Sequence, residues 1–154
     1  MHVRRLEAPV RVHRAFPGPN GEAIVPVVHV GPGLLPGDRL DMDVRVEKDA
    51  HVIMVPQSAL KVHGSVGDVD AVQVIRVRVA DGGWLELHGG LVIPFPHARL
   101  LQRIEVHLAP TARLVVTERW VTGRSLEWGR FATLDALLQV WRDGVLRFQD
   151  RTYL

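Results

Sequence analysis

The sequence predicts an all-β fold of stacked β-hairpin repeats in a β-helix-like layered structure, with at most one or two short helices. Three observations lead there. The first is repetition: "MDVRVEKDAHVIMV" from Met42, "IRVRVADGGWLELH" from Ile75 and "IEVHLAPTARLVVT" from Ile104 superpose without gaps. The second is alternation of apolar and polar residues along both arms of each copy, the pattern of half-buried strands. The third is turn chemistry between the arms: Lys48-Asp49, Asp81-Gly82-Gly83 and Pro110-Thr111.

The alternation assigns an inward set to each arm. First arms contribute Met42, Val44 and Val46; Ile75, Val77 and Val79; Ile104, Val106 and Leu108. Second arms contribute Val52 and Met54; Leu85 and Leu87; Leu114 and Val116. Each repeat buries one face only and needs a neighbour to cover it, which favours stacking. A single domain over residues 1–154 is expected.

From the N-terminus, "VRVHRAFPGPNGEAIVPVVHV" is a looser version of the same layout, with "FPGPNG" as its turn. "GPGLLPGDRL" follows as a rigid loop into the first repeat. Pro32 and Pro36 have no N–H to offer, so it does not read as a phosphate-binding loop. "PQSALKVHG" (Pro56 to Gly64) leaves the first repeat; "GGLVIPFPHAR" and "ERWVTGR" leave the second and third. Each exit carries a basic residue: Lys61, Arg99 or Arg124. Over residues 132–141, Leu134, Leu137, Leu138 and Trp141 also fit helical spacing. Strand is preferred, because the segment runs into Asp143-Gly144, a good turn pair for a final hairpin.

Composition narrows the function. Nineteen basic residues nearly balance seventeen acidic ones, and both signs are scattered, which disfavours nucleic acid as a partner. The absence of cysteine removes disulfides, thiolate nucleophiles and thiolate metal sites. No apolar run reaches the roughly 18 residues of a membrane span, and the N-terminus lacks a secretory apolar core. A cytoplasmic protein with no membrane partner is expected. Ser58, Ser65 and Ser125 lie in no nucleophile elbow, so no enzyme is expected. The eight histidines are never closer than nine residues, which excludes a local chelate and leaves metal ligands unknown. Glu118, directly after an apolar run, and Asp38, ending a proline-framed loop, are the softer carboxylate candidates.

Several segments in order resemble the urease accessory proteins of the UreD type, also called UreH. They are Gly37-Asp38 with Leu40, Gln57 with Lys61-Val62, Ile93-Pro94-Phe95 with Ala98-Arg99, and Gly123-Arg124. The resemblance runs from about Phe16 to Leu154 and implies a short member, with the C-terminal part of the family domain missing. It implies a non-enzymatic role in urease maturation, as a scaffold and conduit for nickel, bound transiently. The implied partners are UreF-type and UreG-type proteins and apo-urease, with a homodimer inside the larger complex also admitted. Asp38, Gln57, Ser58, Lys61, Arg99, Glu118 and Arg124 are the resulting candidates for a polar tunnel or partner surface. The alternative is a UreD-like stacked β interaction module without a nickel role.

Overall fold

The computed structural model describes residues 10–64, 66–121 and 130–154. Twelve strands carry the fold: β1 (Val10–Val12), β2 (Phe16–Pro17), β3 (Ala23–His29), β4 (Arg39–Val46), β5 (His51–Pro56), β6 (Leu60–Val62), β7 (Ala71–Val79), β8 (Trp84–Pro94), β9 (Arg99–Leu108), β10 (Arg113–Trp120), β11 (Thr133–Arg142) and β12 (Val145–Tyr153). No helix occurs among the described residues. Residues 133–142 are strand, as the Asp-Gly turn required.

The strands form two sheets, a first in the order β1-β3-β5-β8-β10 with β2 and β6 attached, and a second in the order β12-β11-β9-β7-β4. Within both sheets the repeats stack in parallel, giving a β-solenoid. The ladder places Val44 beside Val77, Val77 beside Val106 and Val106 beside Val140. The second arms align as Val52, Leu85 and Leu114. These are the positions that the gapless sequence superposition brings together.

One feature of the repeats differs from expectation. The two arms of a copy are not a hydrogen-bonded hairpin: β4 lies in the second sheet and β5 in the first, and the same holds for β7/β8 and β9/β10. Each turn is an arch that folds the apolar sides of its arms onto one another. The turn backbones bond between layers instead, with Ala80 N–H donating to the Val46 carbonyl and Ala109 N–H to that of Val79, each at 2.9 Å. Gly82 N–H donates to Thr111 Oγ1 at 2.8 Å, locking the second turn onto the third. Period-two alternation is the same in a hairpin and an arch, so it could not distinguish them. True hairpins close the two ends, with β1 against β3 and β11 against β12, both antiparallel. Asp143 and Gly144 have φ of 51° and 72°, the type I′ signature.

The core lies between the sheets. Val77, Val106, Leu85 and Leu134 are fully buried. Burying a side chain of this size stabilises the fold by roughly 1.5–3 kcal/mol.

Candidate functional site

Among the described residues, one line of polar side chains runs through the largely apolar interior between the sheets. Two positions before Ile75 and Ile104, on the inward side of β7 and β9, stand Gln73 and Gln102. They are ladder neighbours, 7% and 4% exposed. Gln102 Nε2 donates to Glu118 Oε1 across the core, from the second sheet to the first. Glu118 sits at the irregularity between Thr117 and Arg119 in the β8–β10 ladder. The extra residue lies on β8, between His88 and Leu91, so β10 keeps its alternation and Glu118 follows Leu114 and Val116 on the inward side.

Burial pushes the Glu118 carboxyl above its ordinary range; the Gln102 hydrogen bond opposes the shift and the charge of Asp150 adds to it. Gln102 Oε1 is buried without a hydrogen-bond partner among the described residues. An unpaired buried amide oxygen costs about 1–3 kcal/mol. The site therefore presents one half-buried carboxylate and one buried, free amide oxygen between the sheets. These are hard oxygen donors, suited to weak and reversible cation contact.

The other expected site residues lie elsewhere. Asp38 closes the proline-framed loop by accepting from Leu35 N–H at 2.8 Å. That loop packs on the first exit: Leu34 N–H donates to the Lys61 carbonyl and His63 N–H to that of Leu34, each at 2.9 Å. Gly33 makes this approach possible, because its φ is +125° and a Cβ there would fall on the Lys61 carbonyl oxygen. Gln57, Ser58 and the Lys61 side chain are exposed. Arg99 is held by Asp70 at 3.0 Å and Asp68 at 3.2 Å. Arg124 lies outside the described residues. Among those described, none of these candidates bonds to another through its side chain.

The exits do stack, with Leu60 beside Val92 and Val92 beside Trp120. Their basic residues are not equivalent, however. The ladder partner of Lys61 is Ile93, while Arg99 already belongs to β9. Gln73 and Gln102 escaped the sequence reading. Extending the inward parity two residues back from Ile75 and Ile104 would have found both.

On the outer face of the first sheet, neighbouring layers assemble a polar group that linear spacing hid. Glu86 meets His51 Nε2 at 2.9 Å and His88 Nε2 at 3.7 Å. His51 also stacks on Trp84 with 3.9 Å between ring centroids. Among the described residues, no three His, Asp or Glu side chains are arranged to hold a metal ion. On the outer face of the second sheet, Arg103 and Arg151 clamp Asp135 from both neighbouring strands, at 2.8 and 3.1 Å.

Fold and site together define, among the described residues, a parallel β-solenoid scaffold with a half-buried carboxylate bonded to a buried amide between its sheets. The family model described as UreD urease accessory protein matches residues 1–154. The chain belongs to that family. It is 37% identical over 138 residues to Urease accessory protein UreD 1 of Synechococcus sp. (strain JA-3-3Ab), covering 88% of this chain and 52% of the relative. Urease accessory protein UreD of Cupriavidus metallidurans is 36% identical over 134 residues, covering 86% of this chain and 45% of that relative. A third, from Picosynechococcus sp. (strain ATCC 27264), is 30% identical over 151 residues, with 96% and 53% coverage. The chain thus spans about half the length of these relatives. All three are named as accessory proteins and not as urease itself.

Proposed function

We propose that the chain acts in urease maturation as a scaffold that conducts nickel towards apo-urease, together with UreF-type and UreG-type proteins. The observation that carries this reading is the hydrogen bond between buried Gln102 and half-buried Glu118 across the two sheets, inside a chain that matches the family model throughout. Nickel is cargo on this view, so its ligands must release it. Hard oxygen donors in small number, without thiolate or clustered imidazole, suit that requirement. The elevated proton affinity of Glu118 adds to it, because cation and proton compete for the same oxygens. The exposed residues of the first exit, Gln57, Ser58 and Lys61, supply a partner-facing surface beside the glycine loop and Asp38.

The test is urease activation in cells carrying the partner proteins, with nickel content of the urease as readout. Glu118→Leu combined with Gln102→Leu is expected to keep the complex in a pull-down and to lower nickel incorporation severalfold. Unchanged nickel content with the complex intact defeats the conduit and leaves the interaction module as the reading. Lys61→Ala is expected to weaken partner recovery without changing the melting temperature.

A further inference from the structure

On the outer face of the second sheet, four arginines are paired with acids. Arg39 is held by Asp41 at 2.6 Å and Arg76 by the same carboxylate at 3.1 Å. Arg103 and Arg151 are held by Asp135. The outward column nearest the arches is built differently. Its ladder runs Arg45, Arg78, His107 and Trp141, one residue from each of β4, β7, β9 and β11. Arg45 and Arg78 are exposed side by side, on strands about 4.8 Å apart. Neither makes a hydrogen bond or ion pair among the described residues. Like charges on neighbouring ladder positions are destabilising. The sheet therefore carries a repulsion that its own side chains do not relieve.

That column lines an open cleft of about 640 Å³ at the arch end of the strands. The chain enters β11 at the opposite end, where Thr133 lies beside Arg99. His107 stacks on Trp141 with 6.2 Å between ring centroids, and its Nε2 meets Glu105 at 2.5 Å. Trp141 Nε1 is buried without a hydrogen-bond partner among the described residues. Indole and guanidinium nitrogens donate and do not accept. Glu47 and Asp143 also line the cleft, but neither bonds Arg45 or Arg78. The column thus offers two unpaired guanidiniums and one unpaired N–H, so a matching occupant brings acceptors and negative charge.

We propose that the Arg45–Arg78–His107–Trp141 column is a docking site for an acidic segment of a partner protein, whose carboxylates engage both arginines. Guanidiniums take carboxylates in bidentate pairs, and one anionic segment shared between them removes their mutual repulsion. Alternate side chains of an extended segment point the same way, so a segment with acids at alternate positions can meet Arg45 and Arg78 together. The cleft is open to solvent, which leaves a single small anion largely hydrated. A longer segment also covers the His107 and Trp141 rings beside the arginines. The column lies on the outer face and uses neither Gln102 nor Glu118, so this inference stands independently of the nickel reading.

The test is titration of the 154-residue chain with hexaglutamate at low salt. Calorimetry reads the binding, and the Trp141 indole N–H resonance, assigned with Trp141→Phe, reads the place. Binding that shifts this resonance is expected. Arg45→Gln combined with Arg78→Gln should weaken it about tenfold or more and should keep or raise the melting temperature, because a repulsion is removed. Arg14→Gln combined with Arg119→Gln removes the same charge from exposed positions elsewhere and should leave binding nearly unchanged. No binding, equal weakening by the two double variants, or a Trp141 response to inorganic phosphate but not to hexaglutamate overturns the proposal.

Discussion

Glu118 and Asp135 are carboxylates with opposite fates, and their surroundings decide which. Glu118 is half-buried beside one neutral amide, and the partial loss of water makes its folded carboxyl hold its proton more tightly than the unfolded one. Its contribution to stability is complete at low pH and is lost as pH rises from the ordinary glutamate range through the raised folded value. Glu118→Gln should therefore raise the melting temperature at neutral pH and leave it unchanged in acid, a difference that calorimetry at two pH values reads. Asp135 is clamped by two guanidiniums, which lower its carboxyl from 3.8 to about 2. That stability is present above 3.8 and disappears as pH falls towards 2. Asp135→Asn should cost roughly 1–3 kcal/mol at neutral pH and flatten the acid limb of the denaturation profile. Neither role was visible in the sequence. Glu118 was singled out for following an apolar run, but its partner Gln102 comes from the other sheet. The clamp on Asp135 comes from β9 and β12, which only the ladder brings to its sides.

The elements were largely legible. A strand with period-two alternation must bury one side, and Val77 is 0% exposed as that pattern requires. Val77→Asp should unfold the stack, because it places an unpaired charge between two layers; loss of the cooperative thermal transition is the expected readout. The glycine loop was legible as a rigid turn, but its docking on Lys61 was not, since a close approach leaves no trace in local pattern. Gly33→Ala should cost roughly 1–3 kcal/mol from the positive φ alone. Because the Lys61 backbone must also shift, the loss should be accompanied by faster hydrogen exchange at His63, whose N–H is bonded to Leu34. The arches were misread as hairpins for a related reason. Which sheet an arm joins depends on what covers its apolar side, and that is a property of the assembled stack.

At the scale of the molecule, each layer touches only the layers beside it, so stability is distributed along one dimension. Hydrogen exchange should be slowest in β7, β8 and β9, which have neighbours on both sides, and fastest in β1, β2 and β12 at the ends. Uniform protection from end to end would contradict that layered cooperativity. The sequence by itself determined the all-β class, the three stacked copies and their register, because a gapless repeat with fixed parity admits one alignment that keeps every apolar side inward. Only the tertiary structure decided that the copies arch between two sheets and that Gln73, Gln102 and Glu118 share the interior. It also decided that, among the described residues, the two sheets are offset, the second continuing past β9 through β11 and β12 and the first past β5 through β3 and β1. All three depend on which surfaces meet across the core, and contacts between residues distant along the chain are set by packing and not by local pattern.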